Sequence, residues 1–140
     1  MAKHLLNAKD NEHMEVFEVK GFISQNIHGA LEEIYAASKA TQCSQFMFSL
    51  SFNPPPKENV PVEYFERAIE DAEQRLGLTG QPRVVVFHEK EGRRHAHCIW
   101  SRINADTMTA VNMDFYKDKL TRLSKELFLE HGWDLPKGFI

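Results

Sequence analysis

Residues 83–103 read RVVVFHEKEGRRHAHCIWSRI, and the fold turns on how this stretch doubles back. Arg83 to His88 and His95 to Ile103 are rich in the β-branched and aromatic types that suit strands, and a polar run containing Gly92 separates them. A turn at Glu91-Gly92 puts Lys90 opposite Arg93, Glu89 opposite Arg94 and His88 opposite His95. A connection this short cannot make a parallel crossover, which needs about a dozen residues, so the pair is antiparallel. Val84 and Val86 fall on one face of the first strand, Val85 and Phe87 on the other. Apolar residues on both faces predict a largely antiparallel sheet with helices on both sides, an α/β (α+β) sandwich.

Outward from the hairpin, strands and helices alternate. Met14 to Val19 reads as a strand closed by Gly21. Asn26 is a candidate N-cap for a helix over 27–40, whose Ile27, Leu31, Ile34, Tyr35 and Ser38 recur at helical spacing. Phe46, Phe48, Leu50 and Phe52 alternate with Met47, Ser49 and Ser51, the period of a strand burying one aromatic face, and Pro54-Pro55-Pro56 stops it. A helix over 62–76 follows, with Pro61 in its first turn, the stripe Phe65, Ala68, Ile69, Ala72 and Leu76, and Gly77 closing it. Asp114 to His131 reads as a last helix with Tyr116, Leu120, Leu123 and Leu127 inward. The segment Ala2 to Lys9 is helix-compatible.

The bulk numbers bound the class. With 140 residues, 42% hydrophobic and 26% charged, the chain is sized for one soluble domain over 1–140. No apolar run approaches the ~20 residues of a membrane span and no secretory signal is visible, so the expected compartment is the cytoplasm, with no membrane partner. Cys43 and Cys98 form no CxxC pair and read as small core residues. The formal charge of −3 argues against indiscriminate polyanion binding. It is unevenly spread: residues 1–80 hold 7 Lys/Arg against 12 Asp/Glu, and residues 81–140 hold 10 against 8. A polyanion would meet the second half.

Directly opposed residues have Cβ atoms about 4.5–5.5 Å apart, so His88 and His95 are within reach of one ion. His97 lies on the same face, roughly 7 Å along the strand. Any one of these histidines alone would read as an ordinary residue beside a turn, and three on one face shift the reading to a metal centre. Three neutral imidazoles leave positions open for water or a phosphate oxygen, as catalytic sites do.

The run from Phe87 to Asn104, FHEKEGRRHAHCIWSRIN, resembles the third motif of the relaxase/mobilisation nucleases, the family that includes the VirD-type relaxases. These belong to the HUH endonucleases, named for His-hydrophobe-His, which His95-Ala96-His97 matches. The likeness extends loosely along the chain, through Asp10-Asn-Glu-His13, the Phe46 to Phe52 strand and the closing helix near His131-Gly-Trp133. It implies a divalent ion (Mn, Mg or Zn) on His88, His95 and His97, and single-stranded DNA at a transfer-origin nick site as substrate. It also implies a side-chain nucleophile that leaves a covalent 5′-phosphoryl enzyme, with relaxosome accessory proteins as partners. Where the family carries Tyr-Leu in its first helix, this chain reads His4-Leu5-Leu6, which places His4 as the nucleophile. The family's first strand, ahead of that helix, has no counterpart here, and a strand edge left open could recruit a second copy as a homodimer.

Arg93 and Arg94 beside the histidines, and Arg102 at the far end of the strand, are candidates for DNA phosphate contacts. Trp100 falls on the face opposite the histidines and reads as core, Tyr35 ranks below His4 as nucleophile, and Asp10 and Glu12 are candidates to orient a ligating histidine. Two other readings stand beside the nicking endonuclease: a catalytically inactive relaxase-like domain that binds DNA or relaxosome proteins, and a small cupin-type metalloenzyme, which also uses HxH on a hairpin. The acidic balance favours the first, and the scarcity of strands weighs against the second.

Overall fold

A computed structural model describes residues 13–41, 43–55, 58–90 and 92–133. Among these, six strands and three helices follow one another: β1 (His13–Lys20), α1 (Ile27–Thr41), β2 (Met47–Phe52), α2 (Val62–Arg75), β3 (Arg83–Lys90), β4 (Arg93–Ser101), β5 (Ile103–Asn104), β6 (Thr109–Ala110) and α3 (Tyr116–Glu130). By contact the described residues form two compact units, one of those up to Val60 with Gly80–Val111 and one of Pro61–Thr79 with those from Asn112 on. The architecture is α+β.

In the first unit, four strands form one sheet in the order β1-β3-β4-β2, and every neighbouring pair is antiparallel. The hairpin closes as its sequence predicts, with His88 opposite His95, Glu89 opposite Arg94 and Lys90 opposite Arg93. Gly92 has φ +75°, a conformation that glycine adopts without steric cost and that a tight hairpin requires. On one face, Ile27, Ala30 and Ile34 of α1 pack against Val84, Val86 and Ile99. The helix is held at its start by Asn26, whose Oδ1 accepts the Gly29 N–H at 2.8 Å, a cap worth about 1 kcal/mol.

The opposite face of the central strands carries Val85, Phe87, Ala96, Cys98 and Trp100, all buried. Phe48 pairs with Trp100, Leu50 with Cys98 and Phe52 with Ala96, so the aromatic stripe of β2 extends this apolar layer. The register of β1 slips between Val16 and Glu18, and the ring of Phe17 lies 4.8 Å from that of Phe87. Glu18 then meets buried Arg83, with Oε1 accepting Nε–H at 2.6 Å.

In the second unit, Phe65, Ala68, Ile69, Ala72 and Leu76 are buried, as the stripe predicts. The helix ends through Gly77 (φ +73°), with the Leu78 N–H reaching Glu73 O and the Gly77 N–H reaching Gln74 O. This is the paired closure that glycine at that position permits. The same device ends α3, where Gly132 has φ +71° and the Trp133 N–H bonds Phe128 O. Of the four residues expected to face inward from α3, Leu123 is buried and Tyr116, Leu120 and Leu127 are half-buried. No helix among the described residues is long and apolar enough to cross a membrane.

Candidate metal centre

The α1-covered face of the sheet ends in polar chemistry. Along β3 it runs Val84, Val86, His88, and along β4 it runs Ile99, His97, His95, because side chains alternate with period two. Val86 sits opposite His97 and His88 opposite His95, so the histidines continue the same rows that α1 seals further along. Met14 of β1 flanks His88 on one side, and Ser51 of β2 flanks His97 on the other. The sequence-predicted trio is therefore brought together. The ring centroids of His88 lie 4.9 Å from His95 and 4.5 Å from His97, His95 is 7% exposed, and the other two are half-buried.

The nitrogen atoms decide what the cluster can hold. His88 Nε2 and His97 Nε2 face each other at 2.9 Å. Two nitrogens bound to one ion at about 2.1 Å and at right angles stand about 3.0 Å apart, so this pair has the spacing of two adjacent ligands. The third imidazole is differently engaged: His95 Nε2 accepts a hydrogen bond from Arg93 Nε at 3.1 Å, and Arg93 Nη1 donates to Pro54 O at 3.0 Å. As they stand, no three or more His, Cys, Asp or Glu side chains among the described residues are placed to hold a metal. Three imidazoles side by side are nonetheless the nitrogen donor type that divalent transition ions take. Neutral imidazoles suit zinc and other later first-row ions.

The outward nitrogens are also occupied. His95 Nδ1 lies 2.6 Å from Asn53 Oδ1 and His97 Nδ1 lies 2.8 Å from Ser51 Oγ. Sequence reading did not find these two partners. Ser51 was visible on the face opposite the aromatics of β2, and the same alternation carried on to Asn53, but the pairing of β2 with β4 was not legible. The residues proposed for that role, Asp10 and Glu12, lie outside the described residues, as does His4.

The three candidate phosphate-binding arginines, Arg93, Arg94 and Arg102, have different surroundings. Arg93 shares the histidine face. Arg94, one residue on, points to the other face, 3.5 Å from Glu89 Oε1 and over the ring of Phe87. Arg102 lies past the end of β4, where Nη1 donates to Gln45 O at 3.0 Å and Nη2 to Val111 O at 2.7 Å, and its buried Nε has no hydrogen-bond partner. Arg102 thus ties the segment before β2 to the segment after β6. Tyr35, expected on a buried stripe, is 47% exposed, stacked on Phe46 with the Lys39 ammonium over its ring.

Among the described residues, one four-stranded sheet and a two-stranded β5-β6 pair, with helices, are unlike the eight-stranded double-sheet jelly roll of cupins. No curated protein and no solved structure gives a significant match to the chain. A family described as "Relaxase: MobA/VirD2-like, nuclease domain" matches residues 4–133. Nearly the whole length is covered, hairpin and flanking elements together, and the chain belongs to the MobA/VirD2-like relaxase nuclease-domain family.

Proposed function

We propose that this chain is a metal-dependent endonuclease and strand transferase that nicks single-stranded DNA at a transfer origin, with His88, His95 and His97 as its metal ligands. The observation that carries the reading is the pair of Nε2 atoms at 2.9 Å on the hairpin of a relaxase-family chain. A divalent ion (manganese, magnesium or zinc) bound there supplies Lewis-acid polarisation of a phosphate oxygen. The protein supplies the rest. The sheet fixes the ligands on two hydrogen-bonded strands, which limits their movement. Arg93, once released from His95, is a cation on this face able to meet a backbone phosphate. His4 takes the nucleophile's place: its imidazole nitrogen forms a bond to phosphorus as the P–O3′ bond breaks. The imidazole gives up its other N–H proton to water, the leaving 3′ oxygen takes a proton from water, and the 5′-phosphoryl group stays on the enzyme. Attack by another 3′ hydroxyl reverses the step.

The commitment of Arg102 to backbone carbonyls and of Arg94 to the opposite face, with the net charge of −3, favours a second reading, a catalytically inactive domain that binds DNA or relaxosome proteins. One experiment separates the two. An end-labelled single-stranded oligonucleotide carrying the transfer origin is incubated with the chain and Mn²⁺ or Mg²⁺, then denatured. The active reading expects a shortened strand with a free 3′ hydroxyl and a protein-linked remainder. A linkage lost in mild acid and absent from His4→Phe assigns it to His4 as a phosphoramidate, whereas an acid-stable linkage that persists in His4→Phe removes His4. No cleavage with either metal favours the binding reading.

A further inference from the structure

β2 and the residue that follows it bring two polar side chains to the histidine face, Ser51 and Asn53, and each lies within hydrogen-bond distance of the Nδ1 of one imidazole. For His95 the proton's place follows from its partners. Arg93 Nε can only donate, so His95 Nε2, at 3.1 Å, carries the lone pair. The proton therefore sits on Nδ1 and is donated to Asn53 Oδ1 at 2.6 Å. For His97 the same tautomer is needed whenever Nε2 is a ligand, and Ser51 Oγ at 2.8 Å from Nδ1 is placed to accept. Which nitrogen of a histidine can bind a metal is set by the hydrogen bond that the other one makes.

We infer that Ser51 and Asn53 are positioning residues that hold His97 and His95 in the Nδ1–H tautomer, so that both turn Nε2 lone pairs toward one ion. The inference rests on the metal-centre reading above. The register leaves this task to β2: Ser51 pairs with His97, and Asn53, two residues on, is carried past the strand end to His95. Both side chains belong to exposed residues, so replacing them removes a polar partner without opening the core.

Zinc is the probe, with two readouts that do not depend on cleavage. Calorimetry on Asn53→Leu and Ser51→Ala should show zinc binding weakened about 10- to 100-fold, with Asn53→Asp and Ser51→Thr, which keep an oxygen acceptor, restoring most of it. Long-range ¹H–¹⁵N correlation on the zinc-bound wild type should show His95 and His97 protonated on Nδ1 alone. A merely structural role would move neither the tautomer nor the rescue pattern. Zinc uptake by wild type that is equal in Asn53→Leu and Ser51→Ala, or a His95 proton found on Nε2, overturns the positioning role and leaves the metal centre standing. Failure of wild type to take up zinc overturns the metal centre and this inference together.

Discussion

If the three histidines hold a metal ion, Arg93 competes with it for the His95 lone pair, and the competition should be measurable. The Arg93 Nε–H lies 3.1 Å from His95 Nε2, and an ion at a bonding distance of about 2.1 Å on that lone pair would overlap the guanidinium. Binding therefore requires Arg93 to leave, giving up a hydrogen bond to His95 and one to Pro54 O. A hydrogen bond involving a charged group is worth about 1.5–3 kcal/mol, and part of this returns when the guanidinium is rehydrated. Displaced to about 8 Å in a water-like medium, the cation still repels a divalent ion by about 1 kcal/mol. Arg93→Met should then bind Mn²⁺ or Zn²⁺ about tenfold more tightly than wild type, since each 1.4 kcal/mol is a factor of ten. Arg93→Lys, which keeps the charge but not the planar fork, should fall between them.

Linkage supplies a second readout. If a DNA phosphate draws Arg93 off His95, oligonucleotide and metal bind wild type with positive coupling, and by reciprocity each raises the affinity of the other by the same factor. The coupling should vanish in Arg93→Met, which should also bind oligonucleotide with a flatter salt dependence. Calorimetric titration of metal with and without a short oligonucleotide measures all of these quantities. Equal or weaker metal binding in Arg93→Met would refute the competition.

His97→Ala removes one of the two converging nitrogens and should weaken divalent-metal binding more than tenfold by the same calorimetry; equal uptake in wild type and variant would place the site elsewhere. Trp100→Ala empties a fully buried aromatic position in the layer opposite the histidines, and urea unfolding should show a loss of about 3–5 kcal/mol. Glu18→Ala strips the carboxylate from buried Arg83, for which about 3 kcal/mol is expected; a change below 0.5 kcal/mol, on the order of a surface substitution, would mean that the other contacts of Arg83 suffice.

The hairpin was legible because three local signals agreed: apolar residues on both faces of β3, a glycine at the turn and polar residues around it. Once the turn was placed, strand periodicity fixed which side chain opposed which, and the register of His88 with His95 followed without any long-range information. The helices were legible for the same kind of reason, since Phe65, Ala68, Ile69 and Ala72 recur at helical spacing before Gly77. Tyr35 shows the limit of spacing alone. It lies one residue beyond buried Ile34, and that step turns it about 100° around the helix axis, far enough to leave the buried stripe for the surface.

What sequence could not supply was the pairing of strands distant along the chain, and the site depends on it. Ser51 and Asn53 are separated from His97 and His95 by more than 40 residues, and nothing local to β2 says that its neighbour is β4. Arg93 and Arg94 are adjacent in sequence, yet consecutive residues of a strand point to opposite faces, so only Arg93 can respond to what binds the histidines. The chemistry of this face is thus a matter of sheet order. β3 and β4 bring three imidazoles together, β2 sets Ser51 and Asn53 against two of them, and Arg93 occupies the His95 lone pair that an ion would need.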